Sequence, residues 1–241
     1  MSERFYSAEP ITRDQVMLAD SEAHHLLHVM RVSAGDRVTL FDGSGAEFAA
    51  EVVASTRSQV EFAVLSRTEI DRELAFPLII GVALPKGDRQ KWLVEKLTEL
   101  GVSRLVPLIT ERSVAEPKPA SRARLEQAVI KASKQCGRNR LMEIAAASRW
   151  AEFANDSRDD ASPDTHYLIA HPGGRPMVDL SVRPQGAKVL GVGPEGGFAE
   201  REVDLAVKQG WQVASLGCRI LRVETAALAL VCAVAQPSTD H

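Results

Sequence analysis

Cysteine is scarce in this chain of 241 residues. Only Cys136, Cys218 and Cys232 occur, an odd number, widely spaced, with no CxxC pair. That excludes a disulfide framework and argues against a structural zinc site; reduced thiols in a cytoplasmic protein are the expectation. Long apolar runs are also missing. The longest, Ala226 to Ala235, falls well short of the ~20 residues a bilayer requires, so no membrane partner is expected. MSERFYSAEP has no basic segment followed by an apolar one, so no secretion signal is expected. Excess positive charge is absent too. The net charge is −3 and the pI about 6.1, which excludes a protein that coats nucleic acid by bulk charge.

What is present is ordinary for a globular protein: 45% hydrophobic and 25% charged residues. The length allows one large domain or two modest ones. Positive charge is concentrated locally. Between Pro117 and Arg140 stand Lys118, Arg122, Arg124, Lys131, Lys134, Arg138 and Arg140 against the single acid Glu126, a net +6. Such a stretch is either a solvated helix face or a binding surface for a polyanion.

Residues 1–72 read as a small β-rich unit. A helical stretch over Ser21–Met30 precedes Val38, Leu40, Phe48 and Val52, which flank the hairpin turn Asp42-Gly43-Ser44-Gly45. Gln59–Leu65 alternates again, and the spacing predicts a small barrel or sandwich. From 73 to 241 the pattern becomes α/β. Leu78–Leu84 is a continuous apolar run, as in a strand buried on both faces. Leu93, Leu97 and Leu100 share a helix face that ends at Gly101. Arg104–Ile109 is a second strand, completing a βαβ unit. A helix over Ser121–Cys136, a polar loop over Asn155–Thr165, and strands at Tyr167–Ala170 and Lys188–Val192 follow. Next come a helix at Ala199–Gln209, a strand at Gln212–Leu216 and a helix at Val223–Ala235. The alternation implies a mostly parallel sheet with helices on both faces. The last helix is apolar almost all round, so it is buried by a second subunit or within its own.

Gly191-Val192-Gly193-Pro194-Glu195-Gly196 matches G-x-G-x-x-G between a strand and a helix. A dinucleotide site does not follow. No acid ends the next strand to hold a ribose, the motif lies late in the chain, and Glu195 would repel a pyrophosphate. A second turn, Leu216-Gly217-Cys218-Arg219-Ile220-Leu221-Arg222, leads into the last helix. Two glycine-bearing loops at neighbouring strand ends make a crevice for some other ligand, or serve only as strand-to-helix turns. Arg222 and Glu224 could pair with each other or cap that helix. His24 and His28 have i, i+4 spacing, but no Glu completes a metalloprotease pattern. Surface or phosphate contacts are expected there and no metal. Trp92 and Trp150 read as core or interface residues.

GVGPEGGFAEREV followed by SLGCRILRVETAAL resembles the C-terminal signature of the 16S ribosomal RNA uridine N3-methyltransferase family, within the SPOUT superfamily of knotted methyltransferases. KGDRQKWLVEKLTELGVSRLVPLITERSV and KQCGRNR resemble its central segments, and HHLLHVMRVSAGDRV its N-terminal RNA-binding barrel. Cys218 stands where proline is usual, and Val223 where threonine is commoner. The resemblance implies a PUA-like β-barrel over 1–72 and a SPOUT domain with a deep trefoil knot over 73–241. It implies a homodimer acting on 16S rRNA or the assembled small ribosomal subunit. It implies S-adenosylmethionine held by Leu168, Gly191, Gly193, Pro194, Glu195 and Gly196, and by Leu216, Gly217, Arg219, Ile220, Leu221, Glu224, Thr225 and Ala226. RNA contacts are expected from His25, Arg31, Lys86, Arg89, Lys131, Lys134, Arg138 and Arg140. The cofactor carries its own electrophile, so neither a metal nor a nucleophilic side chain is needed. Uridine N3 must lose a proton, and Arg112, Glu195 and Arg222 are the candidates to favour that loss, with the base itself unassigned. A non-catalytic ribosome-assembly factor, or a methyltransferase of another RNA, are the alternatives.

Overall fold

The computed structural model describes residues 3–113, 119–159, 162–180, 182–183 and 185–235. Lys118 therefore lies outside the described residues. The chain divides into two compact units, residues 1–73 with 133–141, and residues 74–132 with 142–241.

The first unit holds a five-stranded sheet in the order β1-β3-β4-β5-β2, from Arg4–Tyr6 (β1), Gln15–Leu18 (β2), Arg37–Phe41 (β3), Ala46–Ser55 (β4) and Val60–Glu69 (β5). β1 and β3 are parallel and the other pairs antiparallel. A short helix, Asp20–His24 (α1), continues over His25–Met30 as a wider π-type turn. Phe5, Leu26, Leu40, Phe48 and Phe62 form the core. The Asp42 turn is built as its sequence suggests: Gly43 and Gly45 supply positive φ, and the carboxylate accepts the Ile11 and Ser44 N–H groups at 2.8 and 3.0 Å. Burial pushes the Asp42 carboxyl up, but the hydrogen bonds from Ser44 and Ile11 outweigh it and hold it below its ordinary range.

The second unit is built on a parallel sheet in the order β12-β10-β11-β6-β7-β8. Its strands are Leu78–Val82 (β6), Arg104–Ile109 (β7), Glu143–Ile144 (β8), His166–Pro176 (β10), Lys188–Val192 (β11) and Gln212–Ser215 (β12), with Ser148–Arg149 (β9) beside β7. The helices are Asp88–Glu99 (α2), Pro119–Cys136 (α3, whose last turn belongs to the first unit), Trp150–Asp159 (α4), Glu200–Lys208 (α5) and Val223–Val234 (α6).

α4 corrects the polar loop expected over Asn155–Thr165. Trp150, Phe153 and Ala154, spaced i, i+3, i+4, are buried and carry a helix through Asp159. The sheet makes room for them. Gly81 and Gly191 are cross-strand partners on β6 and β11. A methyl group on Gly81 would lie 2.7 Å from the Phe153 ring, and one on Gly191 2.9 Å from the Trp150 ring. The paired glycines form a notch for the two aromatic rings, which also meet Trp211 and Phe198. α6 buries Val223, Ala227, Leu230, Val231 and Val234 within its own unit, while Leu228, Ala229 and Ala233 are half-covered and Cys232 exposed. Its apolar surroundings are thus complete on one side only. Among the described residues no helix is long and apolar enough to cross a membrane.

Candidate functional site

Two loops and an irregular stretch of β10 converge at the carboxyl ends of the adjacent strands β12 and β11, where open parallel sheets bind ligands. They are the 170–172 segment of β10, the 192–198 loop and the 216–221 loop. Together with Arg112, Val223 and Ala226 they line a cavity of about 250 Å³. This lining brings together eleven residues expected from the sequence: Arg112, Gly193, Pro194, Glu195, Gly196, Leu216, Gly217, Arg219, Ile220, Leu221 and Ala226.

The 193–198 loop is fixed from several directions. Gly197 takes φ +68°, a turn that favours glycine, and its N–H bonds the Pro194 carbonyl at 2.8 Å. Phe198 anchors the loop in the core, its ring 4.5 Å from that of Trp150. Arg112 donates to the Gly196 carbonyl at 2.8 Å, tying the loop to the end of β7. Arg112 is itself held in place. The buried Glu202 carboxylate accepts the Glu111 N–H at 2.9 Å and, from the other oxygen, the Ala199 N–H at 2.8 Å. Arg89, at the first turn of α2, reaches Glu195 at 3.3 Å and both oxygens of buried Glu224 at 3.5 Å. It thereby links the 193–198 loop to the start of α6.

Arg222 is exposed at the N-cap of α6, and its side chain has no hydrogen-bond or ion-pair partner among the described residues. It does not pair with Glu224, whose partner is Arg89. Thr225 is exposed and lies outside the lining. Two residues expected at the cofactor have other surroundings. Leu168 is wholly buried in β10, and a methyl on Gly191 would meet the Trp150 ring, so packing alone already requires glycine there. Of the two departures from the family pattern, Cys218 is exposed outside the lining and Val223 is part of it.

Sequence reasoning missed His171 and Pro172. His171 Nδ1 accepts the Gly173 N–H at 3.1 Å, so a neutral ring carries its proton on Nε2. Gly173 leaves room for this, since a methyl there would stand 3.3 Å from Nδ1. The available signal was topological: β10 is flanked by β11 and β12, so its 170–172 segment faces the same crevice.

This parallel α/β unit and its loops match a known family. A family model described as an RNA methyltransferase domain covers residues 72–235, and one described as an RNA methyltransferase PUA domain covers residues 18–65. The chain is 31% identical over 222 residues to the ribosomal RNA small subunit methyltransferase E of Synechocystis, spanning 90% of this chain and 72% of that protein. It is 31% identical to the Bacillus subtilis protein of the same name over 225 residues, 90% of this chain and 88% of the relative. The chain belongs to the ribosomal RNA small subunit methyltransferase E family. The Neisseria gonorrhoeae member, crystallised bound to S-adenosyl methionine, superposes with a TM-score of 0.86 at 32% identity, covering 97% of this chain and 96% of that one.

The family's RNA-binding expectations fare unevenly here. Arg138 is 4% exposed and held by Glu73, with Nε 3.1 Å from one carboxylate oxygen and a second, shorter contact to the other. Its guanidinium is thereby kept from solvent. Lys134 donates to Glu22 at 2.8 Å and lies 4.8 Å over the Phe5 ring, and Arg89 is the carboxylate bridge described above. Arg122 and Arg124 pair with Glu126 and Asp88. Three acids distant in sequence, Asp88, Glu22 and Glu73, thus offset half of the net +6. His25, Arg31, Lys86, Lys131 and Arg140 are exposed. The His24 and His28 ring centroids lie 4.6 Å apart with the rings tilted by 47°, and among the described residues no group of three or more His, Cys, Asp or Glu gathers to hold a metal.

Proposed function

We propose that the protein transfers a methyl group from S-adenosylmethionine to N3 of a uridine in 16S rRNA of the small ribosomal subunit. The observation that carries this reading is the cavity between the two glycine-bearing loops, with the unpartnered Arg222 beside it. The lining fits the cofactor: backbone N–H and C=O groups at Gly193, Gly196 and Gly217 suit the edge of an adenine, and Val192, Ile220 and Leu221 suit its faces. When bound, S-adenosylmethionine supplies an electrophilic methyl on a sulfonium.

The chain's own residues then deal with the N3 proton. Arg222 favours the uridine anion by charge without surrendering its own proton. Glu195 is the one of the three candidates with a lone pair to accept a proton, and Arg89 fixes its orientation. Arg112 acts at one remove, positioning the 193–198 loop through Gly196. The N-terminal unit, with His25, Arg31 and Arg140, holds RNA, as do Lys86 and Lys131 of the second unit. The homodimer forms on the half-covered face of α6, around Leu228, Ala229 and Cys232, in the cytoplasm. The loops after β11 and β12 take part in a trefoil knot, a reading supported by the entry of β11 between β6 and β10.

Mass mapping of 16S rRNA tests the reading. RNA from cells lacking the gene should miss one methyl on a uridine base, and purified protein with tritiated S-adenosylmethionine should restore it. Transfer to a different RNA, or none, overturns the assignment.

A further inference from the structure

A second depression lies on the other side of the 110–112 turn. Its cavity is about 510 Å³, bounded by the end of β7, the start of α4 and the outer face of α5. Its floor is apolar, formed by Ile109, Ala151 and Leu205 beside the buried Trp150. Its rim is cationic. Arg149 and Lys208 are exposed, and their side chains have no partner among the described residues; Arg201 is 79% exposed at its side chain and shares Glu111 at 2.6 Å. The acids in the lining are already engaged. Glu111 pairs with Arg201, and both Glu202 oxygens accept backbone N–H groups. The free charge of the groove is thus positive.

The groove adjoins the methyl-transfer cavity. Thr110 and Glu111 line the groove, and the next residue, Arg112, lines the cavity. We propose that this groove receives the single-stranded RNA flanking the methylated nucleotide, with bases on the apolar floor and phosphates at Arg149, Lys208 and Arg201. This rests on the reading of the chain as an RNA methyltransferase. An apolar floor with a cationic rim suits a chain of flat bases on an anionic backbone.

The test uses the full chain and a single-stranded uridine 20-mer, with affinity followed against salt. The variant is the double substitution Arg149→Gln and Lys208→Gln, both at exposed positions. Losing two phosphate contacts should lower the slope of log affinity against log salt by about 1.4, at ~0.7 per contact on single strands. Carried from ~1 M down to ~0.1 M salt, that slope corresponds to a roughly 25-fold loss of affinity. Calorimetric affinity for S-adenosylmethionine should stay within about twofold, which also reports an intact fold. In the wild type, RNA should slow amide exchange in residues 149–151 and 201–208. An unchanged salt slope, or no protection of these amides, overturns the proposal even if the wild type methylates rRNA. An equal loss of affinity for a Glu-rich 20-residue peptide overturns it too, because the groove would then read charge alone. A lowered slope in a protein that transfers no methyl to rRNA sinks the functional reading and leaves the groove as an RNA surface.

Discussion

In the N-terminal unit Arg138 is buried against Glu73, whereas in the C-terminal unit Arg222 stands exposed at the start of α6 with its side chain unpartnered among the described residues. Both sit in segments rich in glycine and arginine, GRNR and GCRILR. The same residue type is a structural pin in one and an open donor in the other. The difference lies in the acids that fold against them. Arg138 finds Glu73, and Arg4 and Arg72 share Glu47, all far away in the sequence. Arg89 takes both the Glu195 and Glu224 carboxylates, so neither pairs with Arg222.

The largest effect expected is on catalysis. Arg222→Ala should lower methyl transfer by about 100- to 1000-fold, the range for removing one preorganised charge-stabilising group. The melting temperature should hardly move, because no folded-state partner is lost. Tritiated methyl incorporation beside a thermal melt would check this. Transfer at the wild-type rate would make Arg222 a surface residue and dissolve the contrast.

Arg138→Ala should do the opposite. It leaves the partly buried Glu73 carboxylate without its cation, at a cost of about 3 kcal/mol of stability. Calorimetric binding of S-adenosylmethionine at a temperature where the variant is folded should stay close to normal. A stable variant with weakened RNA binding would return Arg138 to the RNA surface.

Much of the C-terminal architecture could be read from sequence because its signals are local. LIIGV is a continuous apolar run, RLVPLI and KVLGV are apolar after an initial Arg104 or Lys188, and the observed strands follow them. The glycine loops were also legible, since strand-loop-helix grammar places them at one sheet edge. What stayed hidden depends on partners distant in the chain. His171 enters the cavity only because β10 lies between β11 and β12. The polar tail of α4 concealed a helix whose three apolar anchors need the notch at Gly81 and Gly191. Charge counting gave the 117–140 stretch its +6, but Glu73, Glu22 and Asp88 cancel much of it from elsewhere.

Gly191 sharpens the comparison within a single motif. Gly191→Ala should destabilise the protein by about 1–3 kcal/mol, the usual result of overpacking, because the new methyl would meet the Trp150 ring at 2.9 Å. Cofactor affinity should be nearly unchanged in the folded protein. Denaturant unfolding with calorimetry would separate the two effects. A stable variant that binds S-adenosylmethionine poorly would place Gly191 at the cofactor instead.

The smallest effect concerns how the N-terminal unit responds to acid. Burial pushes the Glu47 carboxyl up, but hydrogen bonds and charge from Arg72 and Arg4 outweigh it, leaving it below its ordinary value of 4.5. A carboxyl lowered on folding contributes stability that is fully present above its unfolded value and is lost as pH falls through the folded one. The wild type should therefore lose stability below about pH 4.5 in part because Glu47 takes up a proton and releases the two arginines. Glu47→Gln forgoes the charge at every pH. Its melting temperature should lie below that of the wild type near neutrality, and the gap should narrow as the solution is acidified. Melts from about pH 6 to about pH 3 would show the convergence. Parallel curves would mean that Arg4 and Arg72 hold Glu47 by geometry alone, and the paired charges of this unit would then contribute shape without pH-dependent stability.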